Sequence, residues 1–309
     1  MSPAHDILVV GSVALDSVRT PYGEVEEALG GSASYFSLAA RHFAPVHIVA
    51  VVGEDFPAEH RELFRASGVD ISDLETAPGR TFRWRGEYNV DLGHARTLAT
   101  ELNVFSEFHP KLSEAHRSAP YVFLANIDPD LQLEVLGQMK APRLVLSDTM
   151  NYWIARKPDR VFEVLRRVDV ALLNEEEAKA LAGETQVARA ARKLLQEGAR
   201  SVIVKKGEHG ALYQSADGRF LTPAFPLDAF VDPTGAGDSF AGGFLGYLAR
   251  HDTRADASVR HAMLCGTAMA SIAIESFSPR RLVECSPGEI AERVKELHQM
   301  IALDLKPLW

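Results

Sequence analysis

Six short apolar runs, most of them followed by a segment with helical spacing, constrain this chain more than any other feature. They are Ile7 to Val10, His47 to Val52, Tyr121 to Ala125, Leu144 to Ser147, Val168 to Leu173 and Ser201 to Lys205. Several are apolar almost throughout, as strands are when a parallel sheet is covered on both faces. Between them, Phe56 to Ser67, Asp130 to Met139 and Gln186 to Glu197 are amphipathic at helical period. The alternation predicts βαβ units in an α/β fold: a doubly wound, mostly parallel sheet flanked by helices, with ligands outside the carboxyl ends of the strands.

Two segments break this pattern. Val13 to Glu27 is polar and strand-like. In TFRWRGEY, from Thr81 to Tyr88, Phe82, Trp84 and Tyr88 alternate with Arg83, Arg85 and Glu87, the period of a half-covered strand. The two are expected to pair as a small β-sheet projecting from the α/β body. A length of 309 residues would allow two domains at about 150 residues each, but no low-complexity linker divides the chain. The expected organisation is a single domain over residues 1–309, with lid segments of about 13–29 and 80–104 inserted in it. Pro287 to Leu303, with Ile290, Val294, Leu297 and Ile301 at helical spacing, predicts a packing helix.

Composition removes several function classes. Lys and Arg number 33 against 42 Asp and Glu, a formal charge of −9, so neither nucleic acid nor an anionic membrane surface is an expected partner. Cys265 and Cys285 are too few for a disulfide framework or a cysteine-rich zinc site and suit a reducing compartment. The start, MSPAHDILVVGS, lacks the basic region of a signal peptide. The stretch Ala262 to Ile274 is short for a membrane span and reads as a buried helix. A cytoplasmic location follows as the expectation. The eleven histidines include no His-x-x-x-His pair on a predicted helix, so no protein-held transition metal is expected.

The chemistry concentrates in Asp232-Pro233-Thr234-Gly235-Ala236-Gly237-Asp238-Ser239-Phe240. Phe240, Phe244 and Leu248 follow at helical spacing, so a helix is predicted to begin near Asp238. Gly235, Ala236 and Gly237 are small enough for their amides to approach an anion, which the helix start favours. Asp238 beside that cradle could accept a proton from a substrate hydroxyl, and phosphoryl transfer to an alcohol needs both parts. The plainer alternative is a glycine-rich turn with Asp238 as a helix cap. No GxxxxGK[ST] segment is present, which excludes a P-loop route to the same chemistry.

This segment closely resembles the carboxyl-terminal signature of the PfkB carbohydrate kinases, the ribokinase-like kinases of sugars and nucleosides. GGSASYFSLAARHF, from Gly30, is similar to the family's amino-terminal di-glycine hallmark. The resemblance runs over essentially the whole chain. It implies a ribokinase-like fold with a small β-sheet lid, Asp238 as catalytic base, and the Gly235, Ala236 and Gly237 amides as the anion hole. It implies ATP as phosphoryl donor and Mg2+ as cofactor, with Asn174, Glu177, Lys205, Gly207 and Thr234 on the nucleotide side. Glu177 would reach the metal through water, although Asn174 with Glu177 three positions on is equally a capping box. Asp16, Gly30 and Gly31 would bind the acceptor. Tyr35 stands five positions after the first glycine, where many members carry Asn. Asp148 and Asn151, in LSDTMNYW, lie past a strand end where either a ligand role or a capped turn fits. A monovalent cation also belongs to the family pattern, but SFSPRR from Ser276 replaces the usual Gly-Ala-type turn.

By this resemblance the chain phosphorylates a hydroxyl of a sugar or polyol. A nucleoside kinase is the alternative if the Phe82, Trp84 and Tyr88 face stacks on a base. Packed on a second subunit's lid, the same face would make a homodimer. A non-catalytic sugar or nucleotide sensor is disfavoured because every chemical position of the signature is intact.

Overall fold

The computed structural model describes residues 4–89, 95–228 and 230–302. Its strands are β1 (Ile7–Val10), β2 (Ala14–Thr20), β3 (Gly23–Gly30), β4 (Val46–Gly53), β5 (Val69–Ala77), β6 (Arg83–Tyr88), β7 (Ala95–Glu101), β8 (Tyr121–Leu124), β9 (Leu144–Ser147), β10 (Val170–Asn174), β11 (Ser201–Lys205), β12 (Ala211–Ser215) and β13 (Arg219–Thr222). Nine form one sheet in the order β13-β12-β11-β10-β9-β8-β1-β4-β5. From β5 to β11 all neighbours are parallel, and β12 and β13 close the other edge antiparallel. All four residues of β1, β8 and β9 are buried, as continuous apolar runs in a two-sided parallel sheet require. The expected α/β fold is the one observed.

All six predicted strands are present, with ends shifted by up to two residues. β5 had no expected counterpart. Its sequence, VDISDLETA, is mostly polar because it is an edge strand with few buried positions. The helix predicted near Asp238 spans Ala236–His251, and the apolar Ala262 stretch belongs to the longer helix Asp256–Ala273. Among the described residues no helix is long and apolar enough to cross a membrane. The carboxyl-terminal helix runs Pro287–Ile301, with Ser286 Oγ accepting from Glu289 N–H at 3.1 Å as its cap. Its expected last residue, Leu303, and residues 90–94 of the second lid segment lie outside the described residues.

The two off-pattern segments do pair. β2 lies between β3, antiparallel, and β6, parallel, and β7 completes a four-stranded second sheet. Its root is held by Asp55, just past β4. Asp55 Oδ1 accepts from the Thr81 amide and hydroxyl, each at 2.7 Å, and Asp55 Oδ2 pairs with Arg83 at 2.8 Å.

In the large sheet β1 is the switch point: the chain moves from β1 outward to β4 and β5, then returns to β8 on the other side. A crevice forms at the carboxyl end of such a strand. The loop after β1 leads straight into β2 and the small sheet.

Candidate active site

The Gly30–Gly31 turn is built against the end of β1. Ser12 and Ser32 exchange bonds: Ser12 N–H donates to Ser32 Oγ at 3.2 Å and Ser32 N–H to Ser12 Oγ at 3.0 Å. Gly31, at φ 91° and ψ 148°, sits where essentially only glycine is found, and a Cβ there would stand 2.5 Å from Ser12 O. A Cβ on Gly30 would stand 2.0 Å from Asp16 Oδ2. That oxygen accepts from Gly31 N–H at 3.3 Å, so the carboxylate and both glycines form one surface. Gly31→Ala is therefore expected to destabilise the protein by at least about 1–3 kcal/mol, read as a lowered Tm together with weakened acceptor binding.

The second half of the site is the Asp232–Asp238 segment. Asp232 Oδ1 accepts from Thr234 N–H at 2.9 Å and so sets the turn, while its buried Oδ2 has no hydrogen-bond partner among the described residues. Gly235 caps the helix at φ 74°, and a Cβ there would lie 2.2 Å from the Tyr35 ring. The ring of Tyr35 thus lies against Gly235. The buried ring of Tyr35 supports the cradle from the side of the Gly30–Gly31 turn. Burial and the charges of Asp232 and Asp16 keep its phenol strongly protonated. The Ala236 amide is shared with Pro233 O at 3.2 Å. Amides in the first turn of a helix have no acceptor within it, and those of Gly235 and Gly237 face none among the described residues.

A charge cluster lies beneath this cradle. Lys205, at the end of β11, donates from Nζ to Asp148 Oδ2 at 2.8 Å, and a Cβ on Gly237 would stand 2.7 Å from the same Nζ. Asp148 follows β9 directly and is steadied by Gln132, whose Nε2 donates to the carbonyls of Leu124, Ala125 and Asp148. Glu177 and Asn174 form the capping box: Glu177 N–H donates to Asn174 Oδ1 at 2.8 Å and Asn174 N–H to Glu177 Oε2 at 2.7 Å. Gly207, by contrast, sits on an exposed turn with open space around it. Asn151 is exposed at a helix start.

Burial raises three of the site's carboxyls well above the ordinary carboxylate range. Asp238 is pushed up to about 8, with Asp148 and Asp16 adding to the rise and Lys205 opposing it. Asp16 is raised to about 7 by burial against the Gly31 N–H, and Glu177 to about 7 by burial and Asp148 against Lys205. The folded chain therefore holds protons that the unfolded chain releases near 3.8 to 4.5. Stability contributed by these groups falls as pH rises from about 4 to about 8, between the unfolded and folded values. Depressed groups such as Asp252, held at about 2 by Arg143 and Tyr121, act in the opposite sense only below about pH 4. The ligand-free protein is expected to melt at a lower temperature at pH 8 than at pH 5.5, and Asp238→Asn to flatten that slope in calorimetry.

The small sheet faces this cluster. Asp16 on β2 and Trp84 on β6 are register partners in a parallel pair and share a face with Tyr88. Tyr88 Oη is 3.2 Å from Thr234 Oγ1, which ties the sheet to the cradle. The half-buried Trp84 indole lies over Gly86, where a Cβ would come within 2.2 Å of the ring, and donates to Thr97 Oγ1 at 3.2 Å. Sequence reasoning did not assign Ser12 or Gln132, since a lone Ser in a loop or Gln in a helix carries no distinguishing pattern; Asp232 was read as part of the signature, but not as the residue that sets its turn.

The fold agrees with known proteins. Residues 4–284 match the pfkB family carbohydrate kinase family. The cytidine kinase of Thermococcus kodakarensis is 33% identical over 253 residues, 79% of this chain and 89% of that protein. The nucleoside kinase of Burkholderia thailandensis in complex with inosine superposes with a TM-score of 0.79 at 18% identity, covering 95% of this chain and 99% of that one. A putative ribokinase II from E. coli in complex with ATP and Mg2+ gives 0.78 at 21% identity, covering 94% and 99%. With the signature segment and the two-sheet architecture on the same chain as a match of this extent, the protein is a kinase of the pfkB carbohydrate kinase family.

Proposed function

We propose that the protein transfers a phosphoryl group from ATP to a hydroxyl of a nucleoside, with Asp238 as general base. The observation that carries the reaction is Asp238 itself, half-buried in the first turn of a helix beside the Gly235 and Gly237 amides and the Lys205 ammonium. A carboxylate pushed up to about 8 is basic enough to accept a hydroxyl proton near neutral pH. The Gly235 and Gly237 amides, the shared Ala236 amide and Lys205 offset negative charge beside it.

The glycine cradle with an ammonium beneath it, which a Cβ would fill, fits a polyphosphate. Thr234 and Lys205 would hold ATP, with Gly207 at the rim, while Asn174 and Glu177 would hold Mg2+ through water. When bound, Mg2+-ATP supplies the phosphoryl group and part of the charge neutralisation. The E. coli structure with ATP and Mg2+ supports this donor.

Asp16, Gly30 and Gly31 would bind sugar hydroxyls, since a carboxylate accepts two hydrogen bonds at once. The sugar-or-polyol expectation extends to a nucleoside because Trp84 offers an aromatic face on the side of Asp16. The 33% identity to a cytidine kinase favours the same reading. The small sheet would act as the lid, excluding water while Tyr88 holds Thr234.

The test is ADP release across nucleosides, free sugars and polyols. Nucleosides are expected to be turned over in preference to free ribose. Trp84→Ala is expected to raise nucleoside KM about tenfold, as loss of one base–aromatic stack does, with kcat and ribose KM nearly unchanged. Turnover of sugars or polyols alone would return the acceptor to that class. No ATP consumption with any acceptor would support a sensor.

A further inference from the structure

The histidines that the sequence scatters are gathered at the other end of the large sheet. His47 and Asp70 are register partners near the amino ends of β4 and β5. His116 joins them from the 3-10 turn His116–Ser118 that precedes β8. The kinase site lies at the carboxyl ends of the strands, so this cluster is separate from it. His47 Nδ1 is 2.9 Å from Asp70 Oδ2, and His116 Nε2 is 3.8 Å from the same oxygen. One donor atom from each residue lies within 4.8 Å of the others. A tetrahedral zinc ion with ordinary bond lengths spaces its ligands by about 3.4 Å, within that spread.

The surroundings favour a metal over a simple ion-pair network. Each imidazole has a further carboxylate at its remaining nitrogen. His116 Nδ1 is 2.6 Å from Asp73 Oδ2; in the neutral tautomer that donates Nδ1–H there, Nε2 offers its lone pair on the side of Asp70. His47 Nε2 lies 3.7 Å from Asp6 Oδ2. A carboxylate behind a ligating histidine fixes its tautomer and raises its basicity. His116 and Asp73 form the buried side, whereas Asp70 is 41% exposed, so a fourth position opens to water.

We propose that His47 Nδ1, Asp70 and His116 Nε2 bind a transition-metal dication such as Zn2+, oriented by Asp73 and Asp6. Two imidazoles and one carboxylate select Zn2+ or Co2+ over the Mg2+ of the kinase reaction. On binding, His47 carries its proton at Nε2, towards Asp6, and offers Nδ1 to the metal. The ion would staple the β4–β5 edge to the turn that feeds β8.

The test uses tag-free full-length protein, stripped with a chelator and titrated with Co2+ and then Zn2+. One equivalent of Co2+ is expected to bind with visible d–d absorption, to be displaced by Zn2+ and not by Mg2+, and Zn2+ is expected to raise Tm. His116→Asn retains an N–H for Asp73 but loses the Nε2 donor. His47→Gln retains an N–H towards Asp6 but loses Nδ1. Each is expected to weaken Zn2+ binding by more than about 100-fold with Mg2+-dependent kinase activity unchanged, while Asp238→Asn binds Zn2+ like the wild type. Absence of saturable Zn2+ or Co2+ binding by the wild type, or equal binding by wild type and both histidine variants, would overturn the site.

Discussion

Asp238→Asn is expected to lower kcat by about 100- to 10,000-fold, the usual contribution of a positioned general base, while KM for ATP and for the acceptor moves only a few-fold. Asparagine keeps the shape of the side chain in the helix's first turn but cannot take up the hydroxyl proton. Three carboxyls, Asp16, Asp148 and Asp238, influence one another here. Removing one charge should make the folded protein more stable at pH 8, so activity falls while Tm rises. That opposition separates a chemical loss from misfolding. The wild-type kcat/KM should rise with pH through an ionisation near 8 in the free enzyme, and the variant should lack that limb. Retention of near-normal kcat would remove Asp238 from the base role.

Lys205→Met should cost stability as well as turnover. Its ammonium is the cation between Asp148 and the carboxylates of Glu177 and Asp238. Burial would lower its pKa, yet the charge of Asp148, then Glu177, then Asp238 holds it above the ordinary lysine value. Both Lys205 and Asp148 are largely buried, and removing one partner of a buried pair costs about 3–5 kcal/mol because the other charge is left unpaired. Denaturant unfolding should register a loss of that size. The double variant Lys205→Met/Asp148→Asn should lose less than the sum of the two single changes. A single-variant loss below about 1 kcal/mol, typical of an exposed pair, would mean that the cluster is more solvated than its burial implies.

How much of this was legible in the sequence depended on whether the determinants were local. The buried strands and the Asp232–Asp238 turn are written in consecutive residues, and their periodicity and small side chains could be read directly. The alternation from Phe82 to Tyr88 likewise reported the second sheet, although not that Tyr88 would reach Thr234. β5 was missed because an edge strand with polar positions has no strong apolar signal. Lys205 and Asp148 are separated by 57 residues and meet only because β9 and β11 flank β10. Tyr35 was placed beside the acceptor by resemblance alone, and nothing in its local sequence shows that the positive φ of Gly235 brings the signature turn down onto its ring. His47, Asp70 and His116 show the same limit: no local spacing marks residues that meet through two strand starts and a turn.

The most direct measurement is 31P NMR of the acceptor after incubation of wild type and Asp238→Asn with Mg2+-ATP and cytidine. The wild type is expected to give a phosphate monoester on a nucleoside hydroxyl with stoichiometric ADP, and the folded variant almost none. Equal monoester formation by the two proteins, or ADP released by the wild type without any phosphorylated acceptor across nucleosides, sugars and polyols, would contradict it.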